Sequence, residues 1–163
     1  MSTMQKNRVD LRWLIRRDLP QVLRIERECF EFPWTHDDFV VCLRQRSCIG
    51  MVAECGNDIH GFMVYELHKA RLHVLNLAVA PAVQRMGFGR KMVERLIDKL
   101  GQQRRRAIML EIRERNVDGQ VFFRAMGFRA VGTIQSHYDE TEEDAYIMRY
   151  DLPREAPEME MFQ

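Results

Sequence analysis

The stretch Leu75 to Leu100, LNLAVAPAVQRMGFGRKMVERLIDKL, constrains this chain more than any other. Apolar residues run to Val79 with strand character. A short loop follows, then Gln84-Arg85-Met86-Gly87-Phe88-Gly89. From there Phe88, Met92, Val93, Leu96, Ile97 and Leu100 recur at helical spacing. Strand, glycine loop and helix N-terminus together suit a phosphate group, because the first helical turn offers unpaired N–H donors and the positive end of the dipole. Gly87 and Gly89 carry no Cβ, so an anion can approach the main chain, and Arg85 and Arg90 add mobile positive charge. An ordinary glycine-containing turn into a helix uses the same residues. The dinucleotide pattern G-x-G-x-x-G fails at Met92, and the P-loop fails because no Gly-Lys-Ser/Thr follows a four-residue gap. The segment reads as a pyrophosphate-type loop outside those two classes.

The rest of the chain supplies alternating elements around it. Residues 1–8 are polar and expected to be disordered, and Val9 to Arg16 reads as a strand. Asp18 is placed to cap a helix with Pro20 in its first turn, and Pro33 interrupts at Phe32. Thr35 then caps a second helix, with Asp38 completing a capping-box-like arrangement. Strands are expected at 48–55, 59–67 and 71–79, the first two joined as a hairpin through Gly56-Asn57-Asp58. After the central helix come a strand at 107–112, a helix at 118–126 ended by Gly127, and strands at 129–138 and 145–152. The order β-α-α-β-β-β-α-β-α-β-β predicts an α/β (α+β) fold: a mixed central sheet of about seven strands with helices on both faces. One domain is expected over 9–152, with a flexible tail at 153–163.

Composition excludes several classes. With 163 residues and a net charge of +1, the chain has core-building length and no dominant nucleic-acid footprint. No apolar run reaches membrane-spanning length, and the first ten residues lack a signal-peptide core. Cys29, Cys42, Cys48 and Cys55 form no C-x-x-C pair, so reduced thiols, no metal and a cytoplasmic location are expected.

Two polar residues stand out beyond the loop. Glu111 lies inside the apolar run Leu110-Glu111-Ile112, where an uncompensated carboxylate is costly. It reads either as a structural ion pair or as a general base whose pKa partial burial raises toward neutral. Asn116, before the next helix, reads as a cap or turn residue.

These motifs resemble a known family. The loop at 84–89 looks like the acetyl-CoA loop of the GNAT acetyltransferases, Gln/Arg-x-x-Gly-x-Gly/Ala. Leu110-Glu111-Ile112-Arg113-Glu114-Arg115-Asn116 is similar to the Leu-Glu-hydrophobic-Arg-x-x-Asn motif of bacterial ribosomal-protein-alanine N-acetyltransferases, and Phe32-Pro33-Trp34 is a further match. The resemblance covers about residues 9–152 and implies the GNAT fold. It also implies transfer of acetyl from acetyl-CoA to a primary amine, foremost a protein N-terminal α-amine. A small-molecule or lysine acetyltransferase, or a non-catalytic acyl-CoA-binding module, are the alternatives.

By residue-by-residue match, the resemblance makes Glu111 the base. It gives the pantetheine to Leu77, Ala78, Val79 and Asn116, and the pyrophosphate to Arg85, Met86, Gly87, Phe88, Gly89 and Arg90. Phe32, Pro33 and Trp34 form one wall of an acceptor groove and Tyr138 the other. Phe123 stands where the family has a tyrosine taken as the acid for the departing thiolate. A phenyl ring cannot donate a proton, so Phe123 is left to pack on the cofactor arm, with water or Tyr138 as proton source. No histidine is assigned a role. The partners so implied are a protein or peptide N-terminus, a ribosomal protein among them, for a monomer or homodimer without nucleic acid, membrane or metal.

Overall fold

A computed structural model describes residues 8–154. The elements are β1 (Val9–Trp13), α1 (Leu19–Cys29), α2 (His36–Leu43), β2 (Cys48–Cys55), β3 (Asp58–Leu67) and β4 (Arg71–Val79). They continue as α3 (Phe88–Gln102), β5 (Ala107–Arg113), α4 (Val117–Ala125), β6 (Arg129–Ile134) and β7 (Ala145–Asp151). The expected order of elements is the observed one. Of the disordered start and the tail expected from sequence, only Arg8, Pro153 and Arg154 fall within the described residues, outside any helix or strand.

The seven strands form one sheet in the order β1-β2-β3-β4-β5-β7-β6. Every neighbouring pair is antiparallel except β4 and β5, which run parallel. On one face, Val22 and Ile25 of α1 and Phe39 of α2 pack on Val52, Phe62, Val64 and Ala78. On the other, Phe88, Met92, Leu96 and Leu100 of α3 and Phe123 of α4 pack on Met51, Met63, Leu72, Ile108 and Leu110. The helical spacing read from the sequence for α3 is the spacing of its buried stripe.

Two local features position the site. In β4, Asn76 pairs with Val64 but Val74 pairs with Tyr65, so Leu75 is an extra residue in the ladder. Such a bulge bends its strand and increases local twist. Immediately before it the β4–β5 pairing stops: only Arg71, His73 and the residue between them face Ala107 to Met109. The two parallel strands then part. The second feature is the cap of α2, where Asp38 N donates to Thr35 Oγ1 (3.2 Å) and Thr35 N donates to Asp38 Oδ2 (2.8 Å). That reciprocal pair fixes where the 30–34 loop ends.

Three expectations need correction. The first strand stops at Trp13, not Arg16, because a 3₁₀ turn at Arg16–Asp18 follows. Asp18 does not cap α1 with its side chain. It accepts instead from Ile15 N (2.9 Å) and from both terminal nitrogens of Arg12 (2.7 and 2.9 Å). The strand expected to reach Tyr138 ends at Ile134. Ser136 turns it with a φ of 47°, and its N–H is held by Asp144 Oδ1 (2.9 Å). Tyr138 therefore sits in a loop.

The Arg12 guanidinium holds the Asp18 carboxyl below the ordinary carboxylate range, against the upward push of burial. Its stabilising effect is therefore complete above the ordinary value near 3.9 and is lost as pH falls through the lower folded value. Asp18→Asn should cost about 2 kcal/mol at pH 7. The gap to the parent in urea unfolding should close only below pH 4 or so.

Candidate active site

Where β4 and β5 part, a cavity of about 600 Å³ opens. Val74 to Leu77 line one side and Leu110 to Arg113 the other. The edge of β4 that faces β5 has no strand partner beyond His73, so its backbone groups there are available to an added chain.

Glu111 lines this cavity half-buried, and its Oε2 accepts from His73 Nε2 at 2.5 Å. Burial pushes the Glu111 carboxyl up, but the His73 hydrogen bond and the charges of His73 and His137 outweigh it, and the carboxyl is held below its ordinary value. This corrects the expectation of a pKa raised toward neutral. The carboxylate is ionised at neutral pH and is hydrogen-bonded to His73. Sequence reasoning passed over His73. Its only signal lay in topology: β4 and β5 must be known as parallel neighbours before His73 and Glu111 come together.

Glu26 was missed as well. It is 1% exposed, and accepts from Trp34 N (3.0 Å) and Asn76 Nδ2 (2.9 Å). Burial drives its carboxyl above the ordinary range. One side chain of α1 thus ties the 30–34 loop to β4 just past the bulge. The sequence signal was a charge four residues after Val22, inside the apolar stripe of a helix.

The 30–34 loop forms one wall. Trp34 packs on Phe39 (ring centroids 5.1 Å), Phe32 is 39% exposed, and Pro33 is exposed at the rim and does not line the cavity. Tyr138 forms the opposite wall. Burial pushes its hydroxyl pKa up, so it keeps its proton at neutral pH. Arg113 spans the gap, its guanidinium 3.8 Å from the Tyr138 ring and 5.4 Å from that of Phe32. Its charge is met by Glu140 and Glu143, each at 3.5 Å.

The loop expected to take the pyrophosphate lies outside the cavity lining, at the start of α3. Gly87, with φ of 90° and nothing within 4 Å of where a Cβ would stand, leads into α3. Arg85 precedes it in a left-handed conformation (φ 68°), and Met86 is exposed. Phe88 is buried in the core, and Arg90 lies 3.3 Å from Glu94. Gly89 has a packing role too, since a Cβ there would stand 3.3 Å from the Phe122 ring. Between the two ends, Asn116 caps α4 by accepting from Gly119 N (2.9 Å). Phe123 is packed edge-on between Phe122 and Phe128. Asn116, Phe123 and Leu77 all line the cavity. Ala78 is buried toward α1, and the Val79 carbonyl accepts from Gln84 Nε2 (3.1 Å) and Cys29 Sγ (3.2 Å). Neither lines the cavity; of the 77–79 segment expected from sequence Leu77 does, while β4 is without a β5 partner all the way from Val74 to Val79.

Comparison with known proteins agrees with this geometry. Residues 19–128 match the model of the acetyltransferase (GNAT) family. Over 133 residues the chain is 29% identical to the [ribosomal protein bS18]-alanine N-acetyltransferase of Escherichia coli K12, covering 80% of this chain and 89% of that protein. The crystal structure of the Escherichia coli ribosomal-protein-S18-alanine N-acetyltransferase superposes with a TM-score of 0.82 at 24% identity, over 93% of this chain and 99% of that one. Arabidopsis thaliana Naa50 in complex with the bisubstrate analogue CoA-Ac-MVNAL superposes with a TM-score of 0.76 at 20% identity, over 88% and 99% of the two chains.

Replacing His73 by Phe removes the bond that offsets burial at Glu111. The Glu111 carboxyl should then titrate above the ordinary carboxylate value instead of below it, as read by carbon NMR of the labelled side chain.

Proposed function

The chain belongs to the GNAT acetyltransferase family, and from that premise we propose that it acetylates the N-terminal α-amine of a protein. The observation that carries the proposal is a cleft along the unpaired edge of β4, lined by Glu111 and by Phe32, Trp34 and Tyr138, in a chain whose β4 leads through a glycine loop into α3. The family uses acetyl-CoA, and the residues present fit it: the loop before α3 leaves room for an anion, and the edge of β4 is unpaired. The backbone from Gly87 to Arg90 would hold the pyrophosphate, with Arg85 beside it. Val74 to Leu77 and Asn116 would hold the pantetheine, with Phe123 packed beside its thiol end. Bound acetyl-CoA supplies an activated acyl carbon as a thioester.

The remaining work falls to side chains. Phe32, Trp34 and Tyr138 orient the incoming terminus, and a free α-amine needs only a groove open at one end, as here. The Glu111–His73 pair takes the proton from the ammonium group, directly or through one water, and so frees the lone pair that attacks. A carboxylate with a depressed pKa is a weak base alone, so the imidazole hydrogen-bonded to it is counted in the base. Phe123 offers no proton to the leaving sulfur. Tyr138, protonated and in the same cavity, is the donor on this reading. Acceptors related to ribosomal protein bS18 are the first to try, since the Escherichia coli relative carries that name.

Incubation with acetyl-CoA and peptides of varied first residue, Ala included, should place the acetyl group on the α-amine by mass spectrometry. Acetyl found only on lysine side chains or on small free amines would move the enzyme to the lysine or small-molecule branch. Glu111→Gln should lower kcat at saturating substrates by about 10²-fold or more. Phe123→Tyr puts a hydroxyl beside the leaving sulfur and should raise kcat several-fold; an unchanged rate would show that thiolate protonation does not limit turnover.

A further inference from the structure

A second concavity opens on the α3 side of the sheet, at its β1 end. It encloses about 170 Å³, and its lining includes Trp13 of β1, Tyr65 of β3, and Arg95 and Lys99 of α3. Nothing in the acetyl-transfer reading uses it. Tyr65 lies at its floor, fully buried, yet its hydroxyl has no hydrogen-bond partner among the described residues. An orphan hydroxyl in the core is costly, and a core tyrosine that serves only packing would do better as phenylalanine. Arg95 and Lys99 stand one helical turn apart, and neither has a carboxylate within ion-pair distance among the described residues. The nearby Arg12 already engages Asp18 and Glu54. The Lys99 ammonium lies 4.7 Å over the ring of Trp13, which is itself 60% exposed. Burial and the charge of Arg95 hold the Lys99 pKa below that of an ordinary lysine. A half-buried lysine and an exposed arginine thus share the lining of this pocket, with no counter-ion among the described residues.

We propose that this pocket binds a small oxyanion, a phosphate or a short carboxylate, held by Lys99 and Arg95 and receiving a hydrogen bond from the Tyr65 hydroxyl. Lysine and arginine side chains offer donors only, and the tyrosine hydroxyl here has no acceptor among the described residues. One oxyanion satisfies all three at once. A cationic ligand is repelled, and Lys99 already occupies a face of Trp13. A neutral ligand would leave the two positive charges uncompensated. The site is separate from the phosphate loop: Lys99 lies twelve residues beyond Gly87, about 18 Å along the helix, too far to share one phosphate.

The test uses full-length protein saturated with CoA, so that the loop before α3 is blocked. Inorganic phosphate and malonate are titrated separately while tryptophan fluorescence is followed. A Trp34→Phe background leaves Trp13 as the sole reporter, since the chain has 2 tryptophans. Saturable change is expected with at least one anion, and the stronger of the two identifies the preferred head group. Tyr65→Phe and Lys99→Gln should each weaken binding roughly tenfold. Lys99→Gln alters a helix surface position and leaves the core intact, so it reads binding even where Tyr65→Phe perturbs packing. Without anion, Tyr65→Phe should raise Tm, because the orphan hydroxyl is gone. The proposal is overturned if neither anion gives a saturable change, or if Lys99→Gln binds as tightly as its parent.

Discussion

The site depends on a failure of pairing. Two parallel strands that stayed together along their length would bury their shared backbone groups in a ladder, and nothing could enter between them. Here β4 carries one surplus residue, Leu75, at the point where it leaves β5. The cost of the broken ladder is confined to a few groups. What results is a cleft with a strand edge on one wall and a carboxylate on the other. The helices that cover the two faces are packed on continuous apolar surfaces and hold the opened sheet in shape.

The bulge also decides which side chains share a face. His73 pairs with Glu66 and Asn76 with Val64, and Glu66 and Val64 lie two apart on β3. His73 and Asn76 therefore face the same way although only Val74 and Leu75 lie between them, against the alternation of a regular strand. This brings an imidazole to Glu111 and an amide to Glu26 on one side of the sheet.

That arrangement explains what could be read from the amino-acid sequence. Local signals were sufficient for the elements: the Thr35–Asp38 box, the periodicity of α3, the glycines at 87 and 127. The strand–loop–helix from 71 to 102 was legible because its parts are contiguous. Glu111 was conspicuous as a charge in an apolar strand. His73, Glu26 and Asn76 were not, since their partners lie 38 to 50 residues away and a one-residue bulge sets their direction. The sign of the Glu111 shift failed for the same reason. Burial was visible in the pattern, but the compensating imidazole was not. The ends of β1 and β6 were overrun because side-chain bonds from Asp18 and Asp144, neither predictable from hydrophobic pattern, turn the chain early.

Glu26 bears on how the two halves of the cleft communicate. A single carboxylate is bonded to the main chain of the 30–34 loop and to a side chain of β4. A molecule drawn along β4 that shifts Asn76 must stretch this carboxylate or carry the loop with it, and a molecule seated against the loop acts on β4 by the same route. Linkage is reciprocal, so whatever free energy one ligand transmits to the other through Glu26 is returned in equal measure.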